Sequence, residues 1–462
     1  MNSVKIDSGY VAGAVLGNPD KPISVFRGIP YAAPPVGDLR WKPPQPVAPW
    51  AGIRECTAFS LMAPQTAFMG MSFSGVRQSE DCLYLNLMTP ATNANARLPV
   101  MVWMHGGAYL AGSGNDTCYQ RLGLPSQGVV LVNVTTRLGP LGLLAHPLLS
   151  RESPHGVSGN YLFLDMIAAL KWVQHNIAAF GGDPGNVTIF GESGGSEKVT
   201  NLMVSPLASG LYHRAIGESG VGKGTPLGEM EAMGERVMAK LGVDKAGDPL
   251  AAARAVPWQK VIEAGQQVAQ ELKAPMGLWD SAVDGWFLPD TVAGAFAGGR
   301  QNAVPFIMGT NLGELTGPGM IVMPHLVPSY VSMFASAVKT GGKAYAYVFD
   351  HVPAGWKRDG VVSGHIMEVP YVFGQWDYKD ALWKTLFALA RPFGAKSPDP
   401  GLGDADRAVS DVMMKMWANF ARTGDPGVDG LDWPAWDQAQ DRYLYITGKP
   451  EVRSGFSKVA PK

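Results

Sequence analysis

Cysteine is scarce in this chain, with only Cys56, Cys82 and Cys118 in 462 residues. So few cannot build a disulfide scaffold, and their spacing matches no metal site. Long hydrophobic runs are also missing. Apolar stretches such as Leu98 to Met104 and Val129 to Val134 fall far short of the ~18 residues that span a bilayer, so no membrane span is expected. Neither sign of charge is in excess: 38 Lys and Arg stand against 39 Asp and Glu, for a net charge of −1. Without a basic run or interleaved basic and aromatic residues, nucleic acid is excluded as an expected partner. No repeat, low-complexity tract or charged linker marks a boundary, so residues 1–462 are read as one domain. The N-terminus, Met1 to Gly9, lacks an apolar signal core, which leaves a cytoplasmic protein or one whose leader has been removed. No metal or cofactor motif is recognised.

What the chain has is an ordinary globular balance, 46% hydrophobic and 17% charged, enough to bury a large core. Glycine (57) and proline (36) punctuate it throughout. The N-terminal stretch from Val25 to Tyr31 and on through Trp41 is rich in proline and aromatics and reads as irregular surface wrapping. From residue 98, short apolar runs alternate with helical periods, which predicts a mostly parallel sheet flanked by helices. Strands are predicted at 99–104, 129–135, 187–190, 214–217, 305–309 and 344–349. Helices are predicted at 161–180, where Met166, Ile167, Leu170, Val173 and Ile177 share a face, and at 230–241, 378–390 and 404–422.

Gly191-Glu192-Ser193-Gly194-Gly195 has the G-x-S-x-G form, a cheap match in so glycine-rich a chain. Its context is more specific. The β-branched run Val187-Thr188-Ile189-Phe190 leads into it and a helix can follow from Lys198, which makes the strand, sharp turn and helix of a nucleophile elbow. Gly217-Glu218-Ser219-Gly220 repeats the first four letters, but Val221 breaks the fifth. Acyl transfer also needs backbone N–H groups aimed at the developing oxyanion. His105-Gly106-Gly107-Ala108, directly after a predicted strand, is placed to supply them, with His105 shaping the loop.

Beyond these motifs the chain resembles the type B carboxylesterase and cholinesterase family of the α/β-hydrolase fold. The run from Phe180 to Ser193 is similar to that family's serine signature, and Glu80-Asp81-Cys82-Leu83-Tyr84-Leu85-Asn86-Leu87 to its second signature. Weaker echoes extend from Phe26-Arg27-Gly28-Ile29-Pro30-Tyr31 to the segment Trp417 to Pro426. The resemblance implies a Ser-Glu-His triad of Ser193, Glu314 and His365. Glu314 follows a predicted strand in Gly309-Thr310-Asn311-Leu312-Gly313-Glu314. Three histidines lie downstream, His325, His351 and His365, and residue types alone leave the choice open. It is the similarity of Gly364-His365-Ile366-Met367-Glu368 to the family's histidine segment that selects His365, with Ile366 standing where glycine is usual.

The same matching implies oxyanion donors at Gly107, Ala108 and Gly194, supporting roles for Glu192, Ser219 and Glu368, and a Cys56–Cys82 disulfide with Cys118 free. The 51 positions from Glu314 to His365 imply a shortened helical lid insert and a more open site. Residues 57 to 81 contain no tryptophan to hold a quaternary ammonium, which disfavours choline esters. Met62, Phe68, Met69, Met71 and Phe73 there form either an adaptable apolar entrance or simple loop packing. Lys223, and Tyr109 beside the glycine turn, are candidate substrate contacts. A cation at Lys223 would attract a carboxylate-bearing acyl group, as in bacterial members that cleave polycarboxylate esters of mycotoxins such as fumonisins, or would be a solvated surface lysine. The expected activity is hydrolysis of a moderately bulky small-molecule ester. The alternatives are a catalytically inactive adhesion or binding homologue, or a lipase, carbamate or amide hydrolase using the same triad.

Overall fold

The computed structural model describes residues 3–67, 76–274, 278–316 and 321–459. An eleven-stranded sheet organises it. In chain order its strands are β1 (Ala14–Asn18), β2 (Lys21–Pro30), β3 (Tyr84–Thr89), β4 (Leu98–Met104), β5 (Val130–Val134), β6 (Gly182–Glu192), β7 (Arg214–Glu218), β8 (Phe306–Asn311), β9 (Ala344–Phe349), β10 (Arg442–Ile446) and β11 (Glu451–Ser454). Across the sheet they run β11-β10-β9-β8-β7-β6-β4-β5-β3-β2-β1. All neighbours from β10 to β5 pair in parallel. Both edges are antiparallel.

The helices that matter for the site are α1 (Tyr161–Asn176), α2 (Gly194–Val204), α3 (Leu227–Lys240), α4 (Leu312–Thr316), α5 (Leu326–Lys339), α6 (Val369–Phe373), α7 (Ala381–Ala390) and α8 (Asp404–Thr423). Among the described residues no helix is long and apolar enough to cross a membrane.

Parallel strands are covered on both faces, so they read as unbroken apolar runs. Strand β4 shows why: Val100, Val102 and Met104 join the core on one side, while Met101 and Trp103 join the core on the other. Trp103 meets Phe190 of β6 and Phe373 of α6 at centroid distances of 4.8 and 4.9 Å. This packing ties the segment after residue 365 to the centre of the sheet.

The N-terminal reading needs correction. Residues 21–30 form the ten-residue strand β2 rather than irregular wrapping, with Val25, Phe26 and Ile29 buried. A register shift between Phe26 and Ile29 hid the strand, because the irregularity breaks the two-residue period that marks strands in a sequence. Beyond Pro30 the chain is irregular to Gly52 apart from one short turn of helix at Gly37–Leu39. Even there Trp41 is buried and donates from Nε1 to the Pro140 carbonyl at 2.8 Å.

The disulfide expectation is also overturned. Cys56, Cys82 and Cys118 are all buried free thiols. The Cys56 sulfur faces the Gly28 carbonyl, whereas Cys82 lies in the field of the buried Arg137–Asp165 ion pair. Burial pushes Cys56 up to about 11 and Cys82 well above the ordinary thiol value, so in the folded protein both are neutral thiols. Glu80 of the second signature accepts two hydrogen bonds from Arg40, at 2.7 and 2.5 Å, pinning the N-terminal segment. The stretch between Glu314 and His365 contains α5, β9 and a short helix at Ala354–Arg358. Met62 is half-buried and bridges to Gln78, while Phe68, Met69, Met71 and Phe73 lie outside the described residues.

Candidate active site

Strand β6 ends at Glu192 and helix α2 begins at Gly194, so Ser193 must turn the chain by itself. It does so at φ 56° and ψ −125°, a strained conformation for a residue with a side chain. The flanking glycines make the turn sterically feasible. A Cβ at Gly195 would lie 1.9 Å from the Met104 carbonyl oxygen, and one at Gly191 2.5 Å from the same atom. Helix α2 therefore packs directly on the end of β4, next to the glycine turn.

The Ser193 hydroxyl lies 2.8 Å from Nε2 of His365. On the other side of the ring, Nδ1 hydrogen-bonds Oε1 of Glu314. Residues 193, 314 and 365 are thus brought into one line. The other two downstream histidines are elsewhere: His351 is bonded to Asp406 at 2.8 Å, and His325 precedes α5. His365 sits in a segment that turns at Ile366, whose φ of 74° is costly for a branched side chain.

Glu314 lies in the first turn of α4, wholly buried. Its Oε2 accepts from the Asn311 N–H at 2.7 Å, the Ser219 hydroxyl at 2.9 Å and the Thr310 hydroxyl. With Oε2 satisfied, Oε1 is left for the imidazole. Glu368 accepts from Asn311 Nδ2 at 2.5 Å, and its Oε1 lies 3.4 Å from the Ser219 hydroxyl oxygen. Ser219 therefore stands between the two carboxylates. Thr310 and Asn311 were not singled out from the sequence. Their signal is that a buried carboxylate needs several donors, and a Thr-Asn pair just before the first turn of a helix offers them.

The site is rich in buried acid groups. Burial pushes Glu192 well above the usual carboxylate range, and burial together with the Glu314 charge lifts Glu368 to about 7. Burial alone would lower His365, but Glu192, Glu314 and Glu368 outweigh it and raise the ring to about 9. Among the described residues, no group of three or more His, Cys, Asp and Glu side chains is gathered as metal ligands.

The glycine turn supplies unpaired donors. Gly107 and Ala108 adopt φ of 99° and 50°, and neither N–H, nor that of Gly194, has an acceptor among the described residues. A Cβ on Gly194 would come within 2.8 Å of the Ala108 nitrogen, so the start of α2 packs directly against the glycine turn. Tyr109 is buried, packed edge-on against Phe163 and within 3.4 Å of Asn201 Nδ2. Lys223 is exposed, and its charge acts on both Glu197 and His325. His365 also borders an apolar recess lined by Met367, Leu386, Leu389 and Phe393.

Strand order, elbow and buried acid together define an α/β-hydrolase fold. The chain belongs to the carboxylesterase family, whose model matches residues 1–326 and 321–461. It is 41% identical to a fumonisin B1 esterase from Sphingopyxis macrogoltabida, over 94% of this chain and 84% of that protein. It is 31% identical to a para-nitrobenzyl esterase from Bacillus subtilis, over 96% and 95%. The Geobacillus stearothermophilus carboxylesterase superposes at a TM-score of 0.80 with 28% identity and full coverage of both chains. The protein is a carboxylesterase.

Proposed function

We propose that this carboxylesterase works through Ser193, His365 and Glu314 by a covalent acyl-enzyme. Ser193 Oγ attacks the ester carbonyl while His365 Nε2 takes its proton, and Glu314 at Nδ1 orients and stabilises the resulting imidazolium. The oxyanion accepts from the N–H groups of Gly107, Ala108 and Gly194. His365 then protonates the leaving alcohol, water enters, and the same base activates it to release the acid. The observation that carries this reading is the continuous line from Ser193 Oγ through both ring nitrogens of His365 to Glu314.

The substrate is a moderately bulky ester without a choline group. Exposed Lys223 and the likeness to a fumonisin B1 esterase favour an acyl part bearing carboxylates. The 1–462 chain acts as one catalytic domain. Hydrolysis of p-nitrophenyl acetate and butyrate, with loss in Ser193→Ala, tests the mechanism. Two equally inert proteins that still bound a partner would point instead to a recognition module.

A further inference from the structure

Lys198 lies on α2, five residues after Ser193, and is wholly buried. Burying an ammonium is costly unless polar groups hold it. Its Nζ donates a 2.9 Å hydrogen bond to the main-chain carbonyl of His105. That carbonyl sits just where β4 has ended and the glycine turn begins, beyond the last strand pair of Met104 with Gly191.

The ring of His105 continues the chain of contacts. Its Nδ1 lies 2.8 Å from the carbonyl oxygen of Gly106, an acceptor only, so Nδ1 carries the hydrogen. Burial keeps this imidazole neutral by lowering it well below its ordinary value, and it lowers Lys198 itself to about 7. The Gly106 carbonyl and the Gly107 N–H belong to one planar peptide group. Fixing the carbonyl therefore fixes the direction of the N–H, and a carbonyl that accepts a hydrogen bond polarises the N–H on the same group. Two consecutive peptide groups of the turn are held by side chains, the first by Lys198 and the second by His105.

We infer that Lys198 is a positioning residue for the oxyanion turn, holding the His105 carbonyl and, through His105, the peptide that presents the Gly107 N–H. This rests on the reading of Gly107 as an oxyanion donor. An apolar side chain of similar length would fill the space but leave the His105 carbonyl without its donor.

The experiment compares Lys198→Met, Lys198→Gln and His105→Phe with wild type and Ser193→Ala, using a p-nitrophenyl ester and an aryl boronic acid that mimics the tetrahedral adduct. Lys198→Met is expected to lower kcat by about 10- to 100-fold with KM within about twofold, and to weaken the boronate by a similar factor. Lys198→Gln keeps an N–H donor and recovers part of the loss. His105→Phe keeps the ring volume without the donor and shows the same kcat-selective loss, so it decides the matter should Lys198→Met fail to fold. Wild-type kcat in a folded Lys198→Met, or in His105→Phe, overturns the positioning role. A loss matched by the fraction of sites that a stoichiometric inhibitor fails to titrate does so as well. Activity surviving Ser193→Ala rejects instead the acyl-enzyme reading beneath it.

Discussion

Ser193 and Ser219 leave their strands with the same φ of 56°, one strand apart in the sheet, where Glu192 of β6 pairs with Glu218 of β7. Each N–H then donates across to the next strand at 2.8 Å, Ser193 to the Glu218 carbonyl and Ser219 to the Gly309 carbonyl. The local turn is shared, and the surroundings differ. Ser193 faces His365, while Ser219 spends its hydroxyl on Glu314. Ser193→Ala should reduce ester turnover to background, a loss of at least about 10⁴-fold by analogy with other triads. Ser219→Ala removes one of the donors to Glu314 and should cost only about fivefold, near 1 kcal/mol, with the acyl burst retained. Burst kinetics on both variants distinguish the two roles.

His365 Nε2 also lies 3.3 Å from Oε1 of Glu192, so the nitrogen that serves Ser193 has a second acid beside it. In the proposed mechanism the ring must be unprotonated to act as base, so activity should fall as pH drops through its pKa. Because the carboxylates raise that pKa, the acid limb of kcat/KM should lie above the ~6.5 of an ordinary imidazole. Glu192→Gln, which cannot ionise, should move the limb down to the extent that Glu192 is charged beside the ring. A limb that stays put in Glu192→Gln would exclude this electrostatic coupling.

Lys223→Glu should slow esters with a carboxylate-bearing acyl chain by about tenfold while sparing neutral esters, since only the charge at an exposed position changes. Equal effects on matched neutral and anionic substrates would remove Lys223 from substrate recognition.

Arg137 and Asp165 form a buried pair joined at 2.6 and 2.9 Å, and Arg137 also donates to the Lys42 carbonyl. Asp165→Asn strands a guanidinium in the core and should cost about 3–5 kcal/mol. The midpoint of urea denaturation measures it, and an unchanged midpoint would mean that water reaches Arg137.

All three cysteines are free and buried, so a thiol reagent should find none of them quickly in the native protein. It should find all three in denaturant without reductant. A count of one would restore the Cys56–Cys82 bond.

Much of the fold was legible because parallel strands are buried on both faces and announce themselves as short apolar runs. Residues 344–349 were placed to the residue, and α8 to within one. Strand β2 was not legible, because its irregularity after Phe26 breaks the alternation. In the site, Ser193 could be read from its strand and glycines, which are local. His365 could not be separated from His325 and His351 by residue type, since what distinguishes it is a neighbour 172 positions away.

The elbow and the glycine turn could be read from the sequence by itself, since each depends on backbone geometry that a few adjacent residues impose. Only the tertiary structure decided that Thr310, Asn311 and Ser219 satisfy one oxygen of Glu314 and leave the other for His365. It also decided that the lysine of α2 reaches the carbonyl of His105. Those pairings follow from which strand ends lie side by side, and a buried charge accepts whatever donors the packing brings to it.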